Sequence, residues 1–347
     1  MKLKEFQAIL AKEKIDLAIL MFPDPNLVYF TQQQFSQAIL AISSADVKLF
    51  ITKLDRLPKI TGIKTLNFDQ TWSKELSKNK IRRVGLNYTS LTLADFEKLK
   101  KIFPAAEFID VSKILQDLRS IKTSKEVSLI TTACKITAKA FEAVAKEFSK
   151  GTLLTEQDVA LFLEKEIRTM NAELAFPTIV AMGPNAAIPH HVTGNSKLTR
   201  GFLVMDFGAK YSNYCADMTR VVFLGKPSTA EINKYDLLLK CQEETIKQIA
   251  ENKSFIELDN YARKRLGKYA DQFTHSLGHG IGIEVHEAPA FRDKKIKISK
   301  NQVFTIEPGI YVKDQFGLRI EDTLIFNGKI RVLTTAFKEL IVIEKFR

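Results

Sequence analysis

The chain has 347 residues, more than one average domain, so two domains are expected. With 45% hydrophobic and 27% charged residues it has the balance of an ordinary globular protein, and no apolar run approaches the roughly 18 residues a membrane span needs. Its net charge of +12 comes from scattered lysines, without an arginine-rich stripe or aromatic-interleaved patch, which argues against nucleic acid as a partner.

The opening residues, MKLKEFQAILAKEKI, carry charges every few positions and lack the apolar core of a secretion signal. The three cysteines, Cys134, Cys215 and Cys241, form no C-x-x-C pair, which fits a reduced cytoplasmic protein. Cys215 reads as a small apolar strand residue rather than a thiolate ligand.

Residues 1–118 read as a small α/β domain. Helical periodicity covers 2–14, and a compact apolar strand over 16–22 is closed by Pro23-Asp24-Pro25. Paired strands are expected over 38–42 and 47–52, and shorter strands over 65–68, 83–87 and 107–111. Amphipathic helices fall between them over 71–76 and 91–103. No glycine-rich phosphate loop follows any strand, and the domain has no histidine. On this reading it is a scaffold, a lid or a dimerisation surface.

Residues 111–124 read as the junction to a second domain over 119–347. Thr123-Ser124-Lys125-Glu126 is a capping box that opens a helix ending before Gly151. Another helix is expected over 155–170 and a strand over 176–182. Then come Ala187-Ile188-Pro189-His190-His191 and a hairpin over 201–225. Ser228-Thr229-Ala230-Glu231 caps a helix to about 251, and a further helix over 256–269 precedes a hairpin over 301–328. Helix, helix, hairpin thus occurs twice, which makes this an α+β domain of two pseudo-symmetric halves.

Each hairpin carries one acid per strand among apolar residues: Asp206 and Asp217 in the first, Glu307 and Glu321 in the second. A buried carboxylate costs several kcal/mol unless it is paired or metal-bound, so four of them point to a shared cation site. All five histidines, His190, His191, His275, His279 and His286, lie within 190–191 or 275–286. The i, i+4 spacing of His275 and His279 is not helical, because Gly278, Gly280 and Gly282 interrupt it and mark close backbone approach instead. An oxygen-rich set with one imidazole suits Mn²⁺, Co²⁺ or Zn²⁺. Two divalent cations would offset the repulsion among four carboxylates and acidify a water between them, the arrangement of a two-metal hydrolase.

The ordered set Asp206, Asp217, His279, Glu307 and Glu321 resembles the dinuclear metallopeptidases of the pita-bread fold, most of all the Xaa-Pro aminopeptidase (aminopeptidase P) and prolidase branch. The similar segments are Ala187-Ile188-Pro189-His190, the Gly-His-Gly-Ile-Gly run ending Val285-His286-Glu287, Thr305-Ile306-Glu307-Pro308-Gly309 and Arg319-Ile320-Glu321-Asp322-Thr323. The likeness is strong over 119–347, and the N-terminal domain matches a creatinase-like α/β domain in architecture. It implies two divalent ions, manganese first with cobalt or zinc as alternatives. Asp206 would chelate one, Asp217 and Glu321 would bridge both, and His279 and Glu307 would complete the set. Glu307 would also be general base and acid, while His190 and His286 would stabilise the oxyanion. His275 would help shape a pocket for the proline ring, with Tyr311 and Phe291 nearby. His191, at a position commonly glycine in the family, is given packing alone.

The substrates so implied are peptides with proline at the second position, cut by a homodimer. In prolidases a basic residue soon after the His-Glu-x-Pro segment holds the dipeptide carboxylate. Here Ala290 follows Pro289, and the candidates are Arg292 and Arg319; Arg319 has the second reading of orienting the carboxylates. That departure puts an aminopeptidase acting on longer chains first and an Xaa-Pro dipeptidase second. Methionyl aminopeptidase usually lacks such an N-terminal domain. Creatinase and the non-catalytic binding modules of this fold lack ligands that are all present here.

Overall fold

Six short apolar strands form the sheet of the first unit: β1 (Leu17–Met21), β2 (Ala38–Ile42), β3 (Val47–Ile51), β4 (Lys64–Asn67), β5 (Arg83–Leu86) and β6 (Glu107–Asp110). They lie in the order β4-β3-β2-β1-β5-β6, with β1 antiparallel to β2 and parallel to β5. The computed structural model describes residues 2–69, 72–76 and 81–344, and the chain divides into the units Met1–Arg119 and Ser120–Arg347. In the first unit α1 (Lys2–Lys12), α2 (Pro25–Thr31), α3 (Trp72–Leu76), α4 (Leu93–Ile102) and most of α5 (Ser112–Ser120) accompany the sheet. Ile19, Phe50, Trp72, Val84 and Leu99 form its core.

Two of these helices are additions to the sequence reading. Pro23-Asp24-Pro25 does more than close a strand: Asp24 caps α2 by accepting from the Asn26 backbone N–H, with Pro25 at the first helical position. Helix α5 occupies the stretch expected as a junction, with Leu115 and Leu118 buried at helical spacing. The first residue of the helix expected over 71–76 lies outside the described residues. No helix among the described residues is long and apolar enough to cross a membrane.

The second unit repeats itself. Helices α6 (Ser124–Glu147) and α7 (Glu156–Thr169) precede β7 (Glu173–Leu174), β8 (Ile179–Met182), β9 (Gly201–Phe207), β10 (Ala209–Tyr211), β11 (Tyr214–Cys215) and β12 (Met218–Leu224). Helices α8 (Thr229–Lys247) and α9 (Phe255–Leu266) precede β13 (Gln302–Ile306), β14 (Gly309–Val312), β15 (Phe316–Arg319), β16 (Asp322–Phe326), β17 (Ile330–Val332) and β18 (Ile341–Ile343). All four helices open with a capping box, at Thr123, Thr155, Ser228 and Ser254. The caps of α7 and α9 also bridge equivalent residues before the hairpins, Thr155 to Lys197 and Ser254 to Lys297.

Each hairpin has a long base and a short tip. β9 pairs with β12 from Gly201↔Leu224 to Phe207↔Met218, and β13 with β16 from Gln302↔Phe326 to Ile306↔Asp322. The tips, β10 with β11 and β14 with β15, belong to separate sheets. Helices α6 and α7 share one core with the first hairpin, around Phe141, Leu163 and Leu203; α8 and α9 share another with the second, around Leu238, Phe255 and Phe304. Between them the segment 275–287 runs without regular strand pairing, touching its neighbours at Gly280↔Glu287 and Gly280↔Phe304. A Cβ at Gly278 would sit 2.1 Å from the Thr305 carbonyl oxygen, and one at Gly280 would sit 2.2 Å from the Ala288 carbonyl carbon. Those glycines admit the backbone packing that brings His279 against the hairpins.

Candidate metal centre

The acids meet where hairpin base gives way to tip. Asp206 stands near the end of β9, opposite Thr219 of β12, and Asp217 directly precedes β12. Glu307 directly follows β13, and Glu321 directly precedes β16. Asp206, Asp217 and Glu321 are buried, and Glu307 is nearly so. Asp217, His279 and Glu321 each bring one ligand atom within 4.8 Å of the others. His279 Nε2 lies 3.5 Å from Asp217 Oδ2 and 3.5 Å from Glu307 Oε1. The structure thus brings all five expected ligands together.

Crowding and burial govern their protonation. Burial first, then the neighbouring Glu321 carboxylate, pushes Asp217 and Glu307 well above the ordinary carboxylate range. Burial and Asp206 push Glu321 up to about 7. His279 Nδ1 faces the Gly280 carbonyl oxygen at 3.2 Å; a carbonyl only accepts, so Nδ1 carries a proton and Nε2 is the nitrogen turned toward the carboxylates. A metal-binding imidazole characteristically gives its second N–H to such a carbonyl. Asp206 Oδ1 and Glu321 Oε1 are buried with no hydrogen-bond partner among the described residues. Crowded carboxyl groups that resist losing their protons, with two buried oxygens left unpartnered, fit a site whose charge divalent cations would balance.

Arg319 anchors this cluster from behind. Its Nη2 donates to Asp206 Oδ2 at 2.5 Å, its Nε to Thr219 Oγ1 at 2.9 Å, and its Nη1 to Tyr311 Oη at 2.8 Å. Of the two sequence readings for Arg319 the geometry supports the orienting one, because the guanidinium is buried and committed rather than free for a substrate carboxylate. Tyr311 accepts from Arg319, so its own proton goes to His275 Nε2 at 2.7 Å, and His275 Nδ1 donates to the Ser276 carbonyl at 2.8 Å. His275 is therefore neutral, with both nitrogens occupied; burial and the Arg319 charge bring its pKa down to about 3. It offers a cavity only its ring surface.

A cavity of about 890 Å³ opens in front of the acids. All five histidines contribute to its lining, as do Phe291 and Arg292. His190 and His286 are exposed at its mouth. Partial desolvation and the nearby His279 and His190 bring His286 down to about 4, so it is a neutral imidazole at ordinary pH. Phe291 also stacks on Phe255, at 4.1 Å between ring centroids, and so belongs to the core as well. Tyr311 is buried and contributes through its hydroxyl, as a strut between Arg319 and His275.

Sequence reading passed over several supporting residues. Thr219 donates to Glu321 Oε2 at 2.8 Å, and Thr323 donates to the Asp217 carbonyl at 2.8 Å. Lys122 forms an ion pair with Glu287 at 2.9 Å, both side chains buried, beside His286. The threonines had a signal: each stands two residues after a hairpin acid, in Asp217-Met218-Thr219 and Glu321-Asp322-Thr323. Lys122 had none, being 165 residues from its partner.

Comparison with known proteins identifies the family. The model for metallopeptidase family M24 matches residues 128–327, and that for the creatinase/prolidase N-terminal domain matches 2–121. A Pyrococcus horikoshii protein named Xaa-Pro dipeptidase is 33% identical over 350 residues, covering 98% of each chain. The structure of an X-Pro aminopeptidase from Thermotoga maritima superimposes with a TM-score of 0.87 at 31% identity, over 95% of this chain and 98% of that one. An Xaa-Pro dipeptidase from Bacillus anthracis gives 0.91 at 28% identity, over 99% of both.

Proposed function

This chain belongs to metallopeptidase family M24, with an N-terminal α/β domain of the creatinase/prolidase type and a pita-bread catalytic domain, and from that premise we propose that it is an Xaa-Pro dipeptidase. The observation that carries the hydrolytic reading is the convergence of His279 Nε2 with the carboxyl oxygens of Asp217 and Glu307, at 3.5 Å each. The dipeptidase reading takes precedence over the aminopeptidase that sequence put first, because two of the three relatives above bear the dipeptidase name. Arg292 supports it: of the two arginines lining the cavity it is the exposed one, with its Nε on Ser276 Oγ at 2.9 Å. Its terminal nitrogens are those we assign to the dipeptide carboxylate, by a bidentate contact.

Asp206, Asp217, His279, Glu307 and Glu321 would hold two divalent cations, which we take to be manganese, with cobalt or zinc as alternatives. When bound, such ions supply Lewis acidity and bring the pKa of water toward neutrality. Glu307 takes the proton of the attacking water and returns it to the departing proline nitrogen. His190 and His286 donate to the carbonyl oxygen as it gains charge. The ring of His275, its nitrogens occupied, gives the proline ring an apolar face. An Xaa-Pro bond has no amide N–H and a fixed ring, so a pocket shaped to the ring selects what general proteases handle poorly. We further assign the protein to the cytoplasm as a homodimer; a stable monomer in light scattering would remove the latter.

The cavity volume favours a second reading, an aminopeptidase acting on longer peptides, since about 890 Å³ lies toward the top of the range for drug-sized ligands. A paired assay separates the two. Metal-stripped protein is offered Ala-Pro and Ala-Pro-Ala with Mn²⁺, Co²⁺ or Zn²⁺ added back separately. Cleavage of the dipeptide alone supports the dipeptidase, and cleavage of the tripeptide supports the aminopeptidase. Cleavage of neither with any metal refutes the Xaa-Pro reading.

A further inference from the structure

His191 and Glu156 lie outside the metal ligands and outside every role assigned above. Glu156, the first residue of α7, is completely buried. Its Oε1 accepts from the Met182 backbone N–H at 2.7 Å and from Asn185 Nδ2 at 2.9 Å, and its Oε2 lies 3.0 Å from His191 Nε2. A carboxylate only accepts, so the shared proton belongs to His191 Nε2.

The three partners of this carboxylate bracket His190. Met182 ends β8, Asn185 lies five residues before His190, and His191 follows it directly. The intervening backbone is a 3₁₀ turn (Gly183–Ala187) and an irregular bend, in which the His191 N–H reaches the Ile188 carbonyl at 3.1 Å. On the far side the Pro189 carbonyl accepts from Arg319 Nη1 at 3.4 Å. His190 itself is exposed, so its own packing does little to hold it. The segment is held by the polar contacts on either side of the ring.

We propose that Glu156, acting through His191, is a positioning pair that holds the bend and keeps the His190 ring aimed into the cavity. This rests on the reading of His190 as an oxyanion donor. A catalytic group displaced by about 1 Å can lose on the order of 10²-fold in rate, so such a restraint matters even though the His191 Nε2 and Glu156 Oε2 atoms are engaged with each other.

His191 variants test this more safely than Glu156 variants, because truncating the wholly buried acid orphans two further donors and endangers folding. His191→Ala should lower kcat and kcat/KM together by about 10- to 100-fold with little change in KM, the mark of an interaction used in the transition state. His191→Gln, whose amide nitrogen lies as many bonds from Cα as Nε2, should restore most of the loss. In a His190→Ala background, His191→Ala should have no further effect. If the two losses multiply instead, the positioning inference falls while the reading of His190 stands. If His190→Ala alone leaves kcat unchanged, the reading of His190 fails and the inference with it. Amide hydrogen exchange on metal-stripped protein gives a readout independent of turnover: protection over residues 183–193 should drop in His191→Ala and return in His191→Gln. Unchanged protection in His191→Ala would overturn the proposal.

Discussion

Thr219 and Thr323 each serve the acid of the opposite hairpin. Thr219 Oγ1 donates to Glu321 Oε2 at 2.8 Å, while Thr323 Oγ1 donates to the Asp217 carbonyl at 2.8 Å and accepts its N–H at 3.3 Å. Glu321 N–H returns to the Thr219 carbonyl at 3.2 Å. The two halves are thus cross-stitched at the acids that would bridge the cations, and the separation between those acids follows from hydroxyl contacts.

Thr219→Val keeps the side-chain shape but removes the donor to Glu321 and the acceptor for Arg319. Outer contacts of this kind are worth about 10- to 100-fold in metal affinity, and that loss is expected by titration calorimetry with Mn²⁺. Thr219→Ser should bind as the parent does. Affinity within twofold of the parent in the valine variant would show that the hydroxyl is dispensable.

Glu307→Ala removes both a proposed ligand and the group assigned to proton transfer, so turnover should be lost. A tenth of the parental kcat corresponds to about 1.4 kcal/mol of barrier, too little for a residue with both duties. Activity above that level in steady-state assays would count against the assignment.

Metal-stripped protein should be least stable at alkaline pH. The folded-state pKa values of Asp217, Glu307 and Glu321 lie above ordinary carboxylate values, chiefly through burial. Such groups hold protons more tightly when folded, so their contribution is full below about pH 4 and is lost as pH rises through the folded value, about 7 for Glu321. Calorimetric Tm should therefore fall between about pH 5 and 8, and saturating Mn²⁺ should remove the slope. A metal-free Tm that climbs across this window would contradict the placement of these acids.

Asp322 behaves in the opposite sense. Burial alone would raise its pKa, but the Arg220 guanidinium at 2.7 Å and Lys338 at 3.0 Å hold it at about 2. Its contribution, ~2 kcal/mol from the size of the shift, is present above about pH 4 and lost as pH falls through 2. Asp322→Asn leaves Arg220 buried without its counter-charge and should cost about 3–5 kcal/mol in urea unfolding at pH 7. It should also flatten the stability profile between pH 4 and 2. A loss under 1 kcal/mol would mean the arginine is satisfied by the Glu321, Ala336 and Phe337 carbonyls it also donates to.

Much of the site was legible in the residues themselves. The five proposed ligands and the confinement of every histidine to two short stretches are matters of residue type and order, and capping boxes and apolar periodicity are local signals that placed α6, α7 and α8 within a few residues. Helices α2 and α5 escaped because they are short and their signals, one capped by Asp24 before a proline and one a brief amphipathic run, also fit turns. Tertiary structure alone decided which protons sit where and which charges are engaged. Thr219 meets Glu321 across 102 residues, Arg319 meets Asp206 across 113, and Lys122 meets Glu287 across 165. Such contacts leave no periodicity in the chain, because they depend on two folded halves meeting in space. That meeting commits Arg319 to Asp206, makes His275 neutral and turns His279 Nε2 toward the acids.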